Sequence, residues 1–281
     1  MQKTHKYLVD GVVTEVNSMA NGYNSRGFLY ADGFFESLRI INGKIPLLGL
    51  HFGRITDSLE AYKLKSPESL HLPELEASLL QFASSVGLEN HGRIRMTIYR
   101  SGDGKYLPTS NTASWIATIE RPTTDTFQLN EKGLSIGIFE DFHKTYDKFS
   151  NFKNLNCQIS IQASIFAQEK KFSDVLVLNS DREIIESTYS NIFLVKDGAL
   201  YTPKLSSGPV GGVMRAAIIN LAIELGIKVY ECNLRAQELL KADEVFLTNA
   251  ISGIRWVASY RTKRYFNNTS NTLLKAFNSR I

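Results

Sequence analysis

Cysteine is scarce in this chain: two residues, Cys157 and Cys232, among 281. So few thiols make neither a disulfide framework nor a cysteine-rich metal site. Thiols kept reduced fit a cytoplasmic setting. The five histidines, at positions 5, 51, 71, 91 and 143, share no ligand spacing, and no metal is expected. No apolar run approaches the roughly 20 residues that cross a bilayer, and the first residues lack the apolar stretch of a secretory signal. Cytoplasmic residence is the expectation by elimination, with no membrane partner. Charge of one sign is also lacking: 32 Lys and Arg against 28 Asp and Glu leave +4, and the one short basic run is Arg261-Thr262-Lys263-Arg264. That argues against nucleic acid, while a modest positive balance suits small anionic substrates.

What is present describes a soluble globular protein, 43% hydrophobic and 21% charged, long enough for two domains with separate cores. Lys6–Val16 reads as a hairpin turned at Asp10-Gly11. Helical spacing runs over Leu47–Leu64 and Pro73–Val86, with alternating strands at 92–100 and 114–119. Arg121-Pro122-Thr123-Thr124 reads as a linker. The division is therefore placed at 1–120 for a smaller α+β domain, 121–130 for the linker and 131–281 for a larger domain. In the second part, helices are expected at Ile159–Lys171 and Arg215–Leu225. Strands are expected at 133–139, 174–178, 192–195, 227–231 and 244–247. Residues 140–150 read as a polar loop, and Asn267–Ser270 as loose.

The chemistry concentrates at Asn151-Phe152-Lys153-Asn154-Leu155-Asn156-Cys157-Gln158. A lysine between Phe152 and Leu155 can lose hydration, which disfavours its charged form and frees an amine able to form a Schiff base. A snorkelling surface lysine remains the better reading of that stretch alone. Further on come Glu186-Ser187-Thr188-Tyr189-Ser190-Asn191, then Gly211-Gly212-Val213-Met214-Arg215 opening a helix, then Thr248-Asn249-Ala250 closing a strand. Gly211 and Gly212 before a helix would leave the N–H groups of Val213 and Met214 exposed to an anion at a positive helix terminus. Thr248 adds a hydroxyl and Asn249 an amide. Arg54 lies three residues after His51 on one helix face; an ordinary surface arginine and a packing histidine are the plain alternatives.

A lysine, a carboxylate and two phosphate-suited turns, in that order, resemble the class IV aminotransferases, fold-type IV enzymes that carry pyridoxal 5'-phosphate. The family includes branched-chain and D-amino acid aminotransferases and aminodeoxychorismate lyases. The resemblance runs from about Gly22 to Val257. It implies an α+β, two-domain architecture of the D-amino acid aminotransferase type with the cofactor between the domains. It also implies Lys153 as the Schiff-base lysine and proton carrier, and Glu186 at the pyridine nitrogen. Arg54, Asn191, Gly212, Val213, Met214, Thr248 and Asn249 would complete the cofactor site. The opening motif, usually Gly-Asp-Gly, reads Ala31-Asp32-Gly33 here.

Within the family, Leu155-Asn156 resembles the D-amino acid and lyase branches alike, while Met214 and Thr248-Asn249-Ala250 lean toward the aminodeoxychorismate lyase-like branch. Gln158 stands where branched-chain enzymes have tyrosine, and Phe35 where the D-amino acid branch has a carboxylate-binding tyrosine. An amino acid aminotransferase is the alternative, and a non-catalytic binding protein a remote one. Phe35 and Arg100 are the substrate-side candidates for an amino-acid-like or carboxylate substrate; Arg100 is equally readable as a solvated strand-end arginine. The resemblance also implies a homodimer. Phe28, Tyr30, Phe34 and Phe35 are aromatic enough for an interface, or for core.

Overall fold

Asp10 and Gly11 turn the chain back on itself, as an Asp-Gly pair between apolar runs predicts. In the computed structural model, which describes residues 5–16 and 25–281, β1 (His5–Val9) pairs antiparallel with β2 (Val12–Val16), Val9 opposite Val12. Gly22, where the resemblance begins, lies outside the described residues.

The first compact unit comprises Met1–Asp125 together with Phe152–Asn156. After α1 (Arg26–Tyr30) come β3 (Gly33–Ile41), α2 (Leu48–Ala61), α3 (Leu72–Ser85), β4 (His91–Arg100) and β5 (Ala113–Glu120). The five strands form one sheet in the order β2-β1-β5-β4-β3. Alternation along the strands sends Phe34, Leu38, Ile40, Ile94, Met96 and Ile98 into a core with Ile55 and Leu59 of α2 and Leu75, Leu79 and Phe82 of α3. Glu36 shares the parity of that face. Phe35 and Ser37 take the other, opposite Thr97 and Arg95 of β4.

Two residues of the Ala31-Asp32-Gly33 turn have special backbone requirements. Gly33 passes so close to β4 that a side chain would collide with the Ile98 carbonyl and come within 2.8 Å of Tyr99 Cα. Ala31 ends α1 in the left-handed region, at φ 51° and ψ 31°, where a Cβ costs on the order of 1–2 kcal/mol. Glycine removes that cost but is freer in the unfolded chain. Ala31→Gly is therefore expected to stabilise the unit by about 0.5–1 kcal/mol net, read as an upward shift of the thermal midpoint; a lowered midpoint would mean that the turn is not left-handed.

β3 is the edge of its sheet, and its unpaired backbone groups take up a distant piece of chain. The Phe35 N–H donates to the Lys153 carbonyl at 2.8 Å and the Leu155 N–H to the Gly33 carbonyl at 3.1 Å. The break after Asp125 falls inside the 121–130 stretch read as a linker. However, Phe152–Asn156, assigned by sequence to the larger domain, groups with the first unit through these bonds.

The second unit comprises Thr126–Asn151 and Cys157–Ile281. In chain order it holds β6 (Leu134–Lys144), α4 (Gln158–Glu169), β7 (Asp174–Asn179), β8 (Ile184–Ser187), β9 (Asn191–Lys196), β10 (Ala199–Pro203) and α5 (Val213–Glu224). Then follow β11 (Val229–Cys232), α6 (Ala236–Lys241), β12 (Glu244–Asn249), β13 (Gly253–Tyr260), β14 (Lys263–Arg264) and α7 (Asn268–Asn278). Its sheet runs β11-β10-β9-β12-β13-β6-β7-β8, with β14 beside β13. The parallel β6–β7 pair is joined through α4, the crossover that parallel neighbours require. The apolar runs of β7, β9 and β12 are buried almost throughout, so periodicity alone undercalls them.

Two expectations are corrected here. Part of the 140–150 loop is strand, since β6 continues to Lys144, irregularly, and pairs it with Asn179. Glu186 itself lies within β8, opposite Val177. The segment read as loose opens α7, whose Leu273, Leu274 and Phe277 are buried. Among the described residues no helix is long and apolar enough to cross a membrane.

Candidate active site

In the second unit the expected carboxylate is held on both oxygens. Glu186 Oε1 receives the Lys144 ammonium at 2.7 Å, and Oε2 accepts the Val210 N–H at 2.8 Å. Lys144 also donates to the Ser150 carbonyl at 3.1 Å. Both side chains are mostly buried, 18% and 13% exposed, so their attraction is less screened than at a surface. Lys144 was missed in the sequence because it sits in what reads as a polar loop, at no diagnostic spacing from Glu186.

Val210 ties this carboxylate to the glycine turn. Its N–H goes to Glu186, while its carbonyl accepts from Asn191 Nδ2 at 2.8 Å. Asn191 Oδ1 lies where a Cβ on Gly212 would be, so only glycine fits there. Asn151 braces the same loop, donating to the carbonyls of Leu205 and Pro209. Gly212 then caps α5 with no side-chain bond and no acidic residue in the first turn. The first N–H groups of a helix have no intrahelical acceptor. Here the first such bond within α5 comes from Ala216, back to Gly212, so Val213 and Met214 present their N–H groups at a positive helix end.

Thr248 lies opposite Asn191 in the β9–β12 ladder. Its Oγ1 is buried and has no hydrogen-bond partner among the described residues. Such an atom costs free energy unless something meets it, and a phosphate oxygen would. Asn249 is differently employed: Nδ2 donates to Ser190 Oγ, while Oδ1 accepts the N–H groups of Ile251 and Ser252. Its side chain builds the turn after β12.

In the first unit, Lys153 is half-buried with its ammonium 4.2 Å from the centre of the Phe35 ring. The Arg95 guanidinium lies 3.8 Å from the same centre. Sequence reasoning had passed over Arg95, although its place two residues before Thr97 on an alternating strand puts it on the Phe35 face. Arg100 points elsewhere. Its Nε donates to Asp32, Nη1 to Asn111 Oδ1 and, at 3.4 Å, to the Lys63 carbonyl, and Nη2 to the Tyr62 carbonyl. Those bonds make it a brace for the turn around Asp32, which Arg26 also grips.

Arg54 reaches Glu36 from α2, Nε to Oε1 at 2.7 Å and Nη2 to Oε2 at 2.6 Å. His51 Nδ1 meets Oε2 at 2.7 Å. Burial pushes the Glu36 carboxyl up, but the Arg54 guanidinium and His51 outweigh it and hold the group at about 2. This depressed value contributes stability above the ordinary carboxylate range, lost as pH falls from about 4.5 toward 2.

The donors and acceptors of the second unit fit pyridoxal phosphate: a carboxylate for a ring nitrogen, an uncapped helix end and an orphaned hydroxyl for a phosphate. On the first unit, taken by itself, Lys153 carries an amine beside Phe35 and Arg54 a guanidinium held by Glu36.

Relatives bear on the same chemistry. A protein 26% identical over 232 residues, covering 82% of this chain and 83% of its own length, is the aminodeoxychorismate lyase of Vibrio harveyi. A putative branched-chain-amino-acid aminotransferase of Methanocaldococcus jannaschii is 29% identical over 250 residues, 88% of this chain and 85% of that protein. Among solved structures, the branched-chain aminotransferase of Thermoproteus uzoniensis superposes with a TM-score of 0.87 at 22% identity, covering 98% of this chain and 94% of that one. Residues 33–260, from the glycine that packs against β4 to the end of β13, match the family model described as amino-transferase class IV. The lysine, the held carboxylate and the uncapped helix thus occur in a chain that belongs to the class IV aminotransferase family.

Proposed function

We propose that the protein is a pyridoxal-phosphate-dependent enzyme acting on an amino-acid-like substrate, of the aminodeoxychorismate lyase-like branch. The observation that carries the cofactor reading is the backbone of Val210. One residue fixes Glu186 through its N–H and Asn191 through its carbonyl, three residues before the first residue of α5. An acid and an anion site joined by one loop suit a ligand with a basic ring nitrogen and a phosphate.

When bound, the cofactor would supply a carbonyl carbon for amines and an electron-accepting ring. The chain supplies the rest. Lys153 offers the amine and, once free, carries a proton at the substrate carbon. Glu186 holds a proton at the ring nitrogen. The N–H groups of Val213 and Met214, the Thr248 hydroxyl and Arg54 bind the phosphate. Gly212 and Asn191 shape that site, and Asn249 positions Thr248 by fixing the turn beside it.

For the substrate carboxylate we favour Arg95 over Arg100, since Arg95 shares the Phe35 ring with Lys153 whereas Arg100 is bound within the fold. Phe35 gives an apolar surface for a ring-shaped acid, and it lacks the hydroxyl expected of a D-amino acid enzyme. This supports the lyase branch, together with Met214; Gln158 speaks against a branched-chain enzyme, and Leu155-Asn156 fits the lyase and D-amino acid branches alike. The 29% identity to an aminotransferase keeps amino transfer as the second reading. A paired assay separates them: pyruvate released from aminodeoxychorismate, against 2-oxo acid formed from a panel of L- and D-amino acids. Oxo-acid formation without pyruvate release would overturn the lyase reading.

Thr248→Ala and Arg54→Ala are expected to weaken cofactor affinity, on the order of tenfold or more for a bond to a charged group, while slowing the saturated enzyme little. A phosphate does not change charge in the reaction, so its contacts bind ground and transition states alike. Titration of cofactor-stripped protein checks this; unchanged affinity in both variants would move the phosphate elsewhere.

A homodimer is also part of this proposal. Phe28, Leu29, Tyr30, Tyr106 and Leu107 are exposed in the first unit, Tyr106 and Leu107 by 91% and 85%. Arg26 binds the carbonyls of Gly104 and Lys105, drawing that loop to α1. An apolar patch of this kind marks an interaction surface, and a two-fold copy would cover it. Sedimentation at assay concentration tests it, since a fully active 31.6 kDa monomer would refute it.

A further inference from the structure

The cluster beneath Arg54 is costly, and the fold alone does not require it. Glu36 is 1% exposed and His51 is 1% exposed, yet both stand in the apolar layer between β3 and α2. Replacing such a buried ionic group by well-packed apolar residues is often neutral or stabilising. Its geometry does something an apolar core would not. Glu36, held ionised, can only accept, so His51 Nδ1 must carry the proton between them. His51 thereby orients the Glu36 carboxylate. That carboxylate grips Arg54 by two parallel bonds, which fixes the plane of the guanidinium. Ser58 Oγ, one turn on, donates to the Arg54 carbonyl at 2.7 Å and fastens its backbone.

We infer that Glu36 and His51 are positioning residues that aim Arg54 at the cofactor phosphate. This rests on the reading of Arg54 as a phosphate ligand given above. The three residues come from two elements in fixed register. Strand parity turns Glu36 toward α2, and the three-residue spacing of His51 and Arg54 puts both on the helix face that meets it. An arginine fixed in this way loses less freedom when it binds than a mobile one. Removing the fixing partners should therefore weaken the phosphate contact without touching the rest of the cofactor site.

Comparing two ligands that differ only in the phosphate isolates that contact. Cofactor-stripped wild type, Glu36→Gln, His51→Leu, His51→Asn and Arg54→Ala are titrated with pyridoxal 5'-phosphate and with pyridoxal, and thermal midpoints are recorded. The expected result is a loss on the order of tenfold in pyridoxal-phosphate affinity for Glu36→Gln and His51→Leu, the scale seen when partners that orient a ligating group are removed. Pyridoxal affinity should stay unchanged. His51→Asn, which keeps a donor near the Nδ1 position, should recover most of the loss. If Glu36→Gln does not fold, the His51 pair decides by itself.

A merely structural role would lower the midpoint while leaving the ratio of the two affinities at the wild-type value, and that outcome overturns the inference. If Arg54→Ala shifts the ratio but the Glu36 and His51 variants do not, the phosphate reading of Arg54 stands and the positioning role fails. If Arg54→Ala leaves the ratio unmoved, the reading of Arg54 itself fails, and the inference with it.

Discussion

Lys153→Ala is expected to bind pyridoxal phosphate without fixing it covalently and to lose turnover by at least about four orders of magnitude, the scale of removing a covalent nucleophile. The fold should survive. The backbone bonds that seat the segment, Phe35 N–H to Lys153 carbonyl and Leu155 N–H to Gly33 carbonyl, do not involve the side chain. The amine contributes a cation–π contact with Phe35 at 4.2 Å, worth roughly 0.5–1 kcal/mol at a partly exposed site. Two readouts other than activity decide the matter. Borohydride treatment of the loaded wild type should add the cofactor's mass to the peptide carrying Lys153, and no such adduct should form in the variant. The visible band of the loaded wild type should likewise be missing. A Lys153→Arg control keeps the charge near Phe35 and Arg95 but offers no comparable nucleophile; it should match alanine in turnover and wild type in thermal midpoint. Covalent attachment persisting in either variant would place the reactive lysine elsewhere, with Lys144 the first to examine.

The sequence revealed the order of the parts better than their partners. Lys153, Glu186, Gly212 and Thr248 are legible because each sits in a short local pattern: a lysine between apolar residues, a carboxylate before a buried strand, glycines before a helix, a hydroxyl near the end of a strand. Their partners lie far along the chain. Lys144 meets Glu186 across 42 residues, and Val210 meets Glu186 across 24, and no local spacing announces either. Glu36 illustrates the same limit. Strand parity puts it on the core-facing side with Phe34 and Leu38, but its partners His51 and Arg54 come from α2, and no local spacing announces them. Arg95 is legible on strand parity, since it lies two residues before Thr97, the partner of Phe35. The carboxylate of Asp32 and three other acceptors account for Arg100 instead. In α7, the Asn, Thr and Ser residues of the first turn hid a helix whose apolar face comprises Leu273, Leu274 and Phe277; these residues favour helix starts as readily as loops.

Glu186→Gln is expected to keep the cofactor and lose most of the turnover, two to three orders of magnitude if the removal of other preorganised electrostatic partners, about 2.7–4 kcal/mol of barrier, is a guide. A neutral amide cannot hold a proton at the ring nitrogen, so electron withdrawal weakens where the reaction needs it. The geometry adds a complication that must be separated from catalysis. Glu186 is also the partner of Lys144, and both are mostly buried. The amide would leave that ammonium without its counter-charge, and breaking a buried pair from one side destabilises more than replacing both members. A single variant could therefore lose activity by unfolding. The double variant Glu186→Gln with Lys144→Met resolves this. The thioether fills the space of the lysine stem without a charge, so the thermal midpoint should recover most of what the single variant lost. Turnover should remain as low as in the single variant, because the proton at the ring nitrogen is still unsupported. The Val210 N–H can donate to the carbonyl oxygen of glutamine as it does to the carboxylate, so the loop leading to α5 should keep its shape and pyridoxal-phosphate affinity should fall little. Recovery of turnover along with stability in the double variant would mean that Glu186 serves the fold alone and that the ring nitrogen has another partner.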